Sequence, residues 1–99
     1  MSNTKFTSFE DSCKDIAMQI SEVVISKQRD YGSNNILKFG EKGVIVRLSD
    51  KIERAKNLLW DNNKPNNESI EDTFIDIAGY AIIQLMLIDG SFTNKLEDK

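Results

Sequence analysis

The 99-residue sequence contains no histidine, one cysteine and one proline. Without histidine the commonest general base is missing, along with every Ser-His or Cys-His nucleophile pair and most zinc sites. Any chemistry must run on carboxylates, amines, hydroxyls and backbone groups. Cys13 has no second cysteine to pair with inside the chain. Met1 to Phe9 lacks the basic and apolar regions of a signal peptide, so the expected location is cytoplasmic. Long apolar runs are absent too. The longest, Ile77 to Ile88, is interrupted by Gly79 and Gln84 and falls short of the roughly 20 residues needed to span a bilayer. Surplus positive charge is also lacking. A net charge of -3 builds no footprint for duplex nucleic acid or an anionic membrane, and neither is expected as a partner.

What is present is an ordinary globular composition, 39% hydrophobic and 29% charged, in a chain long enough for one domain over residues 1–99. Cys13, Ile16, Ala17, Ile20, Val23 and Val24, with the stem of Lys27, follow the i, i+3, i+4, i+7 spacing of one buried helical face. That spacing predicts a first helix from a Thr7 or Ser8 cap to about Arg29, broken by Asp30-Tyr31-Gly32, and places Cys13 in the core. Gly32 to Gly43 reads as a loop holding one short helical turn around Asn35–Phe39.

Val44, Leu48, Ile52, Ala55, Leu58 and Leu59 predict a second helix, although the β-branched run Val44-Ile45-Val46 also suits the start of a strand. The polar stretch Asp61–Asn67, with the only proline, is a loop. Ser69 and Asp72 have capping-box spacing and open a third helix that ends near Asp89-Gly90. The ends, about 1–7 and 91–99, are expected to fray. The fold class is therefore all-α: three main helices and an ordered glycine-bracketed loop in a helical bundle. The third helix is apolar nearly all round, which calls for cover on more than one side and so for a homo-oligomer. Trp60 reads as a packing anchor or oligomer contact.

Two stretches carry candidate chemistry. On the second helix Arg47, Lys51 and Arg54 share one face, beside a polar stripe of Asp50, Glu53 and Asn57. Spacing leaves two readings: phosphate-holding cations with metal-binding carboxylates, or a solvated face of ion pairs. At the head of the third helix stand Glu68, Glu71, Asp72 and Asp76. The helix dipole and capping account for the first three. Asp76 sits deeper, among Phe74, Ile75, Ile77 and Ala78, where an unpaired carboxylate is expensive, so a cation, a metal or a wet cleft must face it. A third feature, Lys27-Gln28-Arg29-Asp30-Tyr31-Gly32, offers Arg29 to a phosphate and Tyr31 to a base, or is simply a helix C-terminus.

The order Asp30-Tyr31-Gly32, Phe39-Gly40, Gly43, Val46-Arg47, Asp50-Lys51, Arg54, Asn57-Leu58, Glu68 to Thr73 and Asp76 to Ala81 resembles the nucleotide modification associated domain 1 family, small helical proteins common in bacteriophages. The likeness spans roughly Lys27 to Leu87 and implies a nucleotide context in a host cytosol. A more distant similarity is to MazG-type all-α NTP pyrophosphohydrolases, whose ExxE and ExxD motifs hold Mg²⁺. Asp50-Lys-Ile-Glu53 stands where the first would be. Asp72-Thr-Phe-Ile-Asp76 stands for the second and is one residue longer.

Three functions follow as expectations. The first is a phage-type binding protein for a phosphorylated nucleotide, with no required cofactor, using Arg29, Tyr31, Arg47, Lys51, Arg54, Asn57, Asp76 and Tyr80; such a protein could sequester a nucleotide signal of host defence. The second is an NTP pyrophosphohydrolase with Mg²⁺ on Asp50, Glu53, Asp72 and Asp76. The third is a protein-interaction module docking through the third helix and Trp60.

Overall fold

A computed structural model describes residues 8–98. The described chain is all helical: α1 (Phe9–Tyr31), a single turn α2 (Asn34–Leu37), α3 (Gly40–Leu59), α4 (Ile70–Asp89) and a closing 3-10 turn over Ser91–Thr93. The expected capping residues do the capping. The Ser8 side chain accepts from the Asp11 amide at 3.0 Å, and Ser69 accepts from Asp72 at 3.1 Å. Gly32 and Gly90 end α1 and α4 with φ of 70° and 84°, a region side-chain-bearing residues resist.

The second predicted helix begins earlier than its apolar pattern, at Gly40, and Val44-Ile45-Val46 is helical rather than a strand. Val44 is 1% exposed and serves as the centre of the core. Ile36 from α2 and Phe92 from the 3-10 turn complete that core, with Leu48, Tyr80, Ile83, Met86 and Leu87 packed around it. Burying Phe92 is worth about 2 kcal/mol of transfer free energy, enough to hold the turn down. The fraying expected from Ser91 onward is thus corrected at this turn. The expected fraying of 1–7 lies outside the described residues.

Helices α3 and α4 form an antiparallel hairpin, seen in the pairings Glu41–Gln84, Lys51–Asp76 and Arg54–Thr73. Among the described residues helix α1 packs chiefly along α4, where Gly79 admits it: a Cβ at that position would stand 3.3 Å from Val24 Cγ2. No residue of α1 is fully buried. Cys13 is accordingly exposed, not in the core, because among the described residues α1 packs chiefly against one helix, α4, and leaves its other flanks to solvent. Among the described residues no helix is long and apolar enough to cross a membrane.

Candidate functional site

The α1 side of the hairpin carries a connected set of charges built around Asp76. As its depth on α4 requires, the carboxylate is paired. Its Oδ1 takes the Lys27 ammonium from α1 at 3.0 Å and its Oδ2 takes the Lys51 ammonium from α3 at 2.8 Å. Lys51 Nζ also lies 3.0 Å from both oxygens of Glu68, the residue that leads into α4. Arg54 Nε donates to Thr73 Oγ1 at 3.1 Å, and the same guanidinium donates to the Glu68 carbonyl. Thr73 is wholly buried. Its one hydroxyl proton serves either the Glu68 carboxylate at 3.0 Å or the Ser69 carbonyl at 3.1 Å.

These contacts favour the charged forms of Asp76, Lys51 and Glu68. Partial burial pushes the Asp76 carboxyl up, but hydrogen bonds and charge from Lys51 and Lys27 outweigh it and hold the group below the ordinary carboxylate range. For Lys51, burial works against the ammonium, and Asp76 and Glu68 together raise it above its ordinary value. Glu68 is lowered by the Lys51 hydrogen bond, against the opposing effect of its partial desolvation. The network ties three helices and the loop before α4 together.

Beside Lys27 and Asp76 opens a cleft of ≈ 270 Å³ between α1, α2, α3 and α4. Its floor is apolar, from Val23, Val24, Ile36, Ile75 and Ile83, and its polar groups are Lys27, Gln28, Tyr31, Asn35, Arg47, Asp76 and Tyr80. Arg47 spends one N–H on the Asn35 carbonyl, at 3.2 Å, and among the described residues pairs with no carboxylate. Tyr31 is exposed at the cleft edge. On the other side of the Lys27–Asp76 pair lies a more open hollow bounded by Asn67, Glu68 and Asp72.

Four of the residues expected on a ligand, Tyr31, Arg47, Asp76 and Tyr80, thus meet in one cleft. The other four stand elsewhere. Lys51 approaches Asp76 from outside the cleft and Arg54 is bound to Thr73 and Glu68, so both are occupied by protein partners. Arg29 reaches the Glu97 carbonyl at 3.2 Å, pinning the tail to α1. Asn57 accepts from Asn63 at 2.7 Å at the far end of α3.

The carboxylates expected on Mg²⁺ do not converge: among the described residues no three acidic or thiol side chains stand close enough to hold a metal ion. Asp50 and Glu53 face outward, Glu53 toward Lys56 at 3.5 Å, while Asp76 is committed to two ammonium groups. Trp60 is 75% exposed, with the Lys56 ammonium 5.5 Å from its ring centre, so it anchors nothing within the chain.

Lys27, Gln28 and Asn35 are site residues that periodicity missed. Lys27 carried the one available signal, a cation placed on the apolar stripe of α1, where its stem packs inward and its charge needs a partner.

No curated protein and no solved structure matches the chain. A family profile described as "Nucleotide modification associated domain 1" matches residues 27–88, a span that starts at Lys27 and takes in every polar residue of the cleft. The chain belongs to the nucleotide modification associated domain 1 family.

Proposed function

We propose that the cleft binds a phosphorylated nucleotide and that the protein acts by holding it. The observation that carries this reading is the meeting of Arg47 and Lys27 with two tyrosines over an apolar floor. Arg47 keeps most of its donors free for phosphate oxygens, and a guanidinium fork suits them in a way a lone ammonium does not. Tyr31 and Tyr80 supply faces for a base, and Gln28 and Asn35 supply amides for its edge. At ≈ 270 Å³ the cleft is just below the ~300 Å³ lower end of small-molecule sites, which suits one nucleoside phosphate moiety better than a whole dinucleotide. In a phage setting such a protein sequesters a nucleotide signal of host defence.

The test is titration calorimetry with nucleoside mono-, di- and triphosphates, cyclic dinucleotides and the unphosphorylated nucleosides. Phosphorylated ligands should bind and nucleosides should not. Arg47→Ala should weaken binding at least about tenfold, the loss of one charge-assisted contact. Absence of heat at millimolar ligand across the panel would sink the proposal.

A further inference from the structure

The side of the α3–α4 hairpin turned away from α1 is apolar and bare. On α3, Ile45, Ile52 and Leu59 recur every seven residues on the flank opposite Arg47 and Arg54; on α4, Phe74, Leu85 and Ile88 lie half a turn from Gly79, which meets α1. In an antiparallel hairpin these two flanks point the same way. All six residues are between 44% and 64% exposed. From Ile77 through Ile88 α4 bears no charge.

We infer that this face is covered by a second copy of the chain, two α3–α4 hairpins closing into a four-helix bundle about a two-fold axis. The seven-residue spacing is that of helices packed at shallow angles in coiled coils and bundles, and a two-fold contact needs only one self-complementary patch. Ser49 between the α3 positions and Ala78 and Ala81 between those of α4 are small enough to let partner helices approach. The six large residues expose on the order of 600 Å² per copy, most of the ~800 Å² each partner gives to a standard interface. An anionic lipid surface does not suit the same patch: the net charge is -3, and Glu53 and Glu71 stand on the two helices that form it. The pairing leaves the Lys27–Arg47 cleft open on the outer side of each copy, and it stands whether or not that cleft takes a nucleotide.

Analytical ultracentrifugation of the full chain at micromolar concentration decides. The expected result is a dimer for the natural sequence, a monomer for Ile52→Glu/Leu85→Glu, and an unchanged dimer for Met18→Glu on the exposed side of α1. If the glutamate pair loses its helical circular dichroism, Ile52→Ala/Leu85→Ala takes its place, alanine being the residue a helix tolerates best. Its dimer dissociation constant should rise at least about tenfold. A monomeric natural chain, a folded pair variant that associates as before, or dissociation caused by Met18→Glu would each overturn the assignment.

Discussion

Arg47, Lys51 and Arg54 stand on one face of α3, and the structure gives them two different occupations. Lys51 and Arg54 are held by Asp76, Glu68 and Thr73, groups that would be costly to leave unpaired so close to the hairpin contact. Arg47, one or two turns earlier, has α2 opposite it rather than the acidic head of α4, and among the described residues only a backbone carbonyl for a partner. One cationic stripe therefore divides into a structural part and a part free to meet a ligand. Where a partner element brings an acid to the stripe, the charge goes into stability; where it brings a loop, the charge stays available.

The largest expected effect is at the centre of the structural part. Asp76→Ala removes the shared acceptor of Lys27 and Lys51 and leaves the Lys51 ammonium, 22% exposed, with Glu68 alone. Breaking a buried pair costs about 3–5 kcal/mol, and partial exposure brings the expected loss to about 2 kcal/mol in urea unfolding. Arg47→Ala should change stability by less than about 0.5 kcal/mol, since it removes one exposed hydrogen bond. Equal losses for the two variants would erase the division along α3.

The pH dependence separates the two parts in a second way. Asp76 and Glu68 have folded-state values below their unfolded ones, so their contribution is present above about pH 4 and disappears as pH falls through the lowered values. Lys51 is raised, so its contribution is complete below about pH 10.4 and is lost as pH rises through the raised value. Urea midpoints should therefore form a plateau across neutral pH, falling at both ends. Arg47→Ala should leave the shape of that profile intact. Asp76→Asn should lower the plateau and flatten the acid limb, and an unaltered acid limb would show that the Asp76 pairs do not persist in solution.

Much of this was legible from the chain, for local reasons. Ser8, Gly32, Ser69 and Gly90 mark helix ends because caps and left-handed stops depend on a few adjacent residues. Asp76 stood out because a carboxylate among Ile75, Ile77 and Ala78 needs a partner. What was hidden depends on distance along the sequence. Lys27 meets Asp76 across 49 residues, and its place on the apolar stripe of α1 signals only that its charge needs a partner, not which residue that is. Phe92 shares a polar tail with only one other apolar residue, Leu96, too few to form a period that would reveal its burial. Gly40 and Gly43 suggested a loop, yet α3 starts at Gly40, whose φ of 59° makes the turn into the helix, and Gly43 lies inside it. At Gly43 a Cβ would come within 2.6 Å of Phe39 Cβ, so the glycine there answers a packing need rather than a turn. The family likeness was legible because its motif residues are ordered over most of the chain, and the profile match over residues 27–88 coincides with them.

The smallest effect is expected on the outer face of the same helix, where spacing also suggested chemistry. Glu53 pairs with Lys56 at 3.5 Å, and its side chain is 70% exposed. Water solvates both ions there, and ordering two long side chains offsets most of their attraction, so such pairs contribute about 0.3–0.5 kcal/mol at most. Glu53→Ala should therefore shift the unfolding free energy by no more than about 0.5 kcal/mol, and added salt should remove even that. The same salt should reduce the cost of Asp76→Ala far less, because the carboxylate and its Lys51 partner are partly shielded from solvent. A Glu53→Ala loss near that of Asp76→Ala would place Glu53 in contacts the monomer does not make, on the flank where Ile52 awaits a second chain.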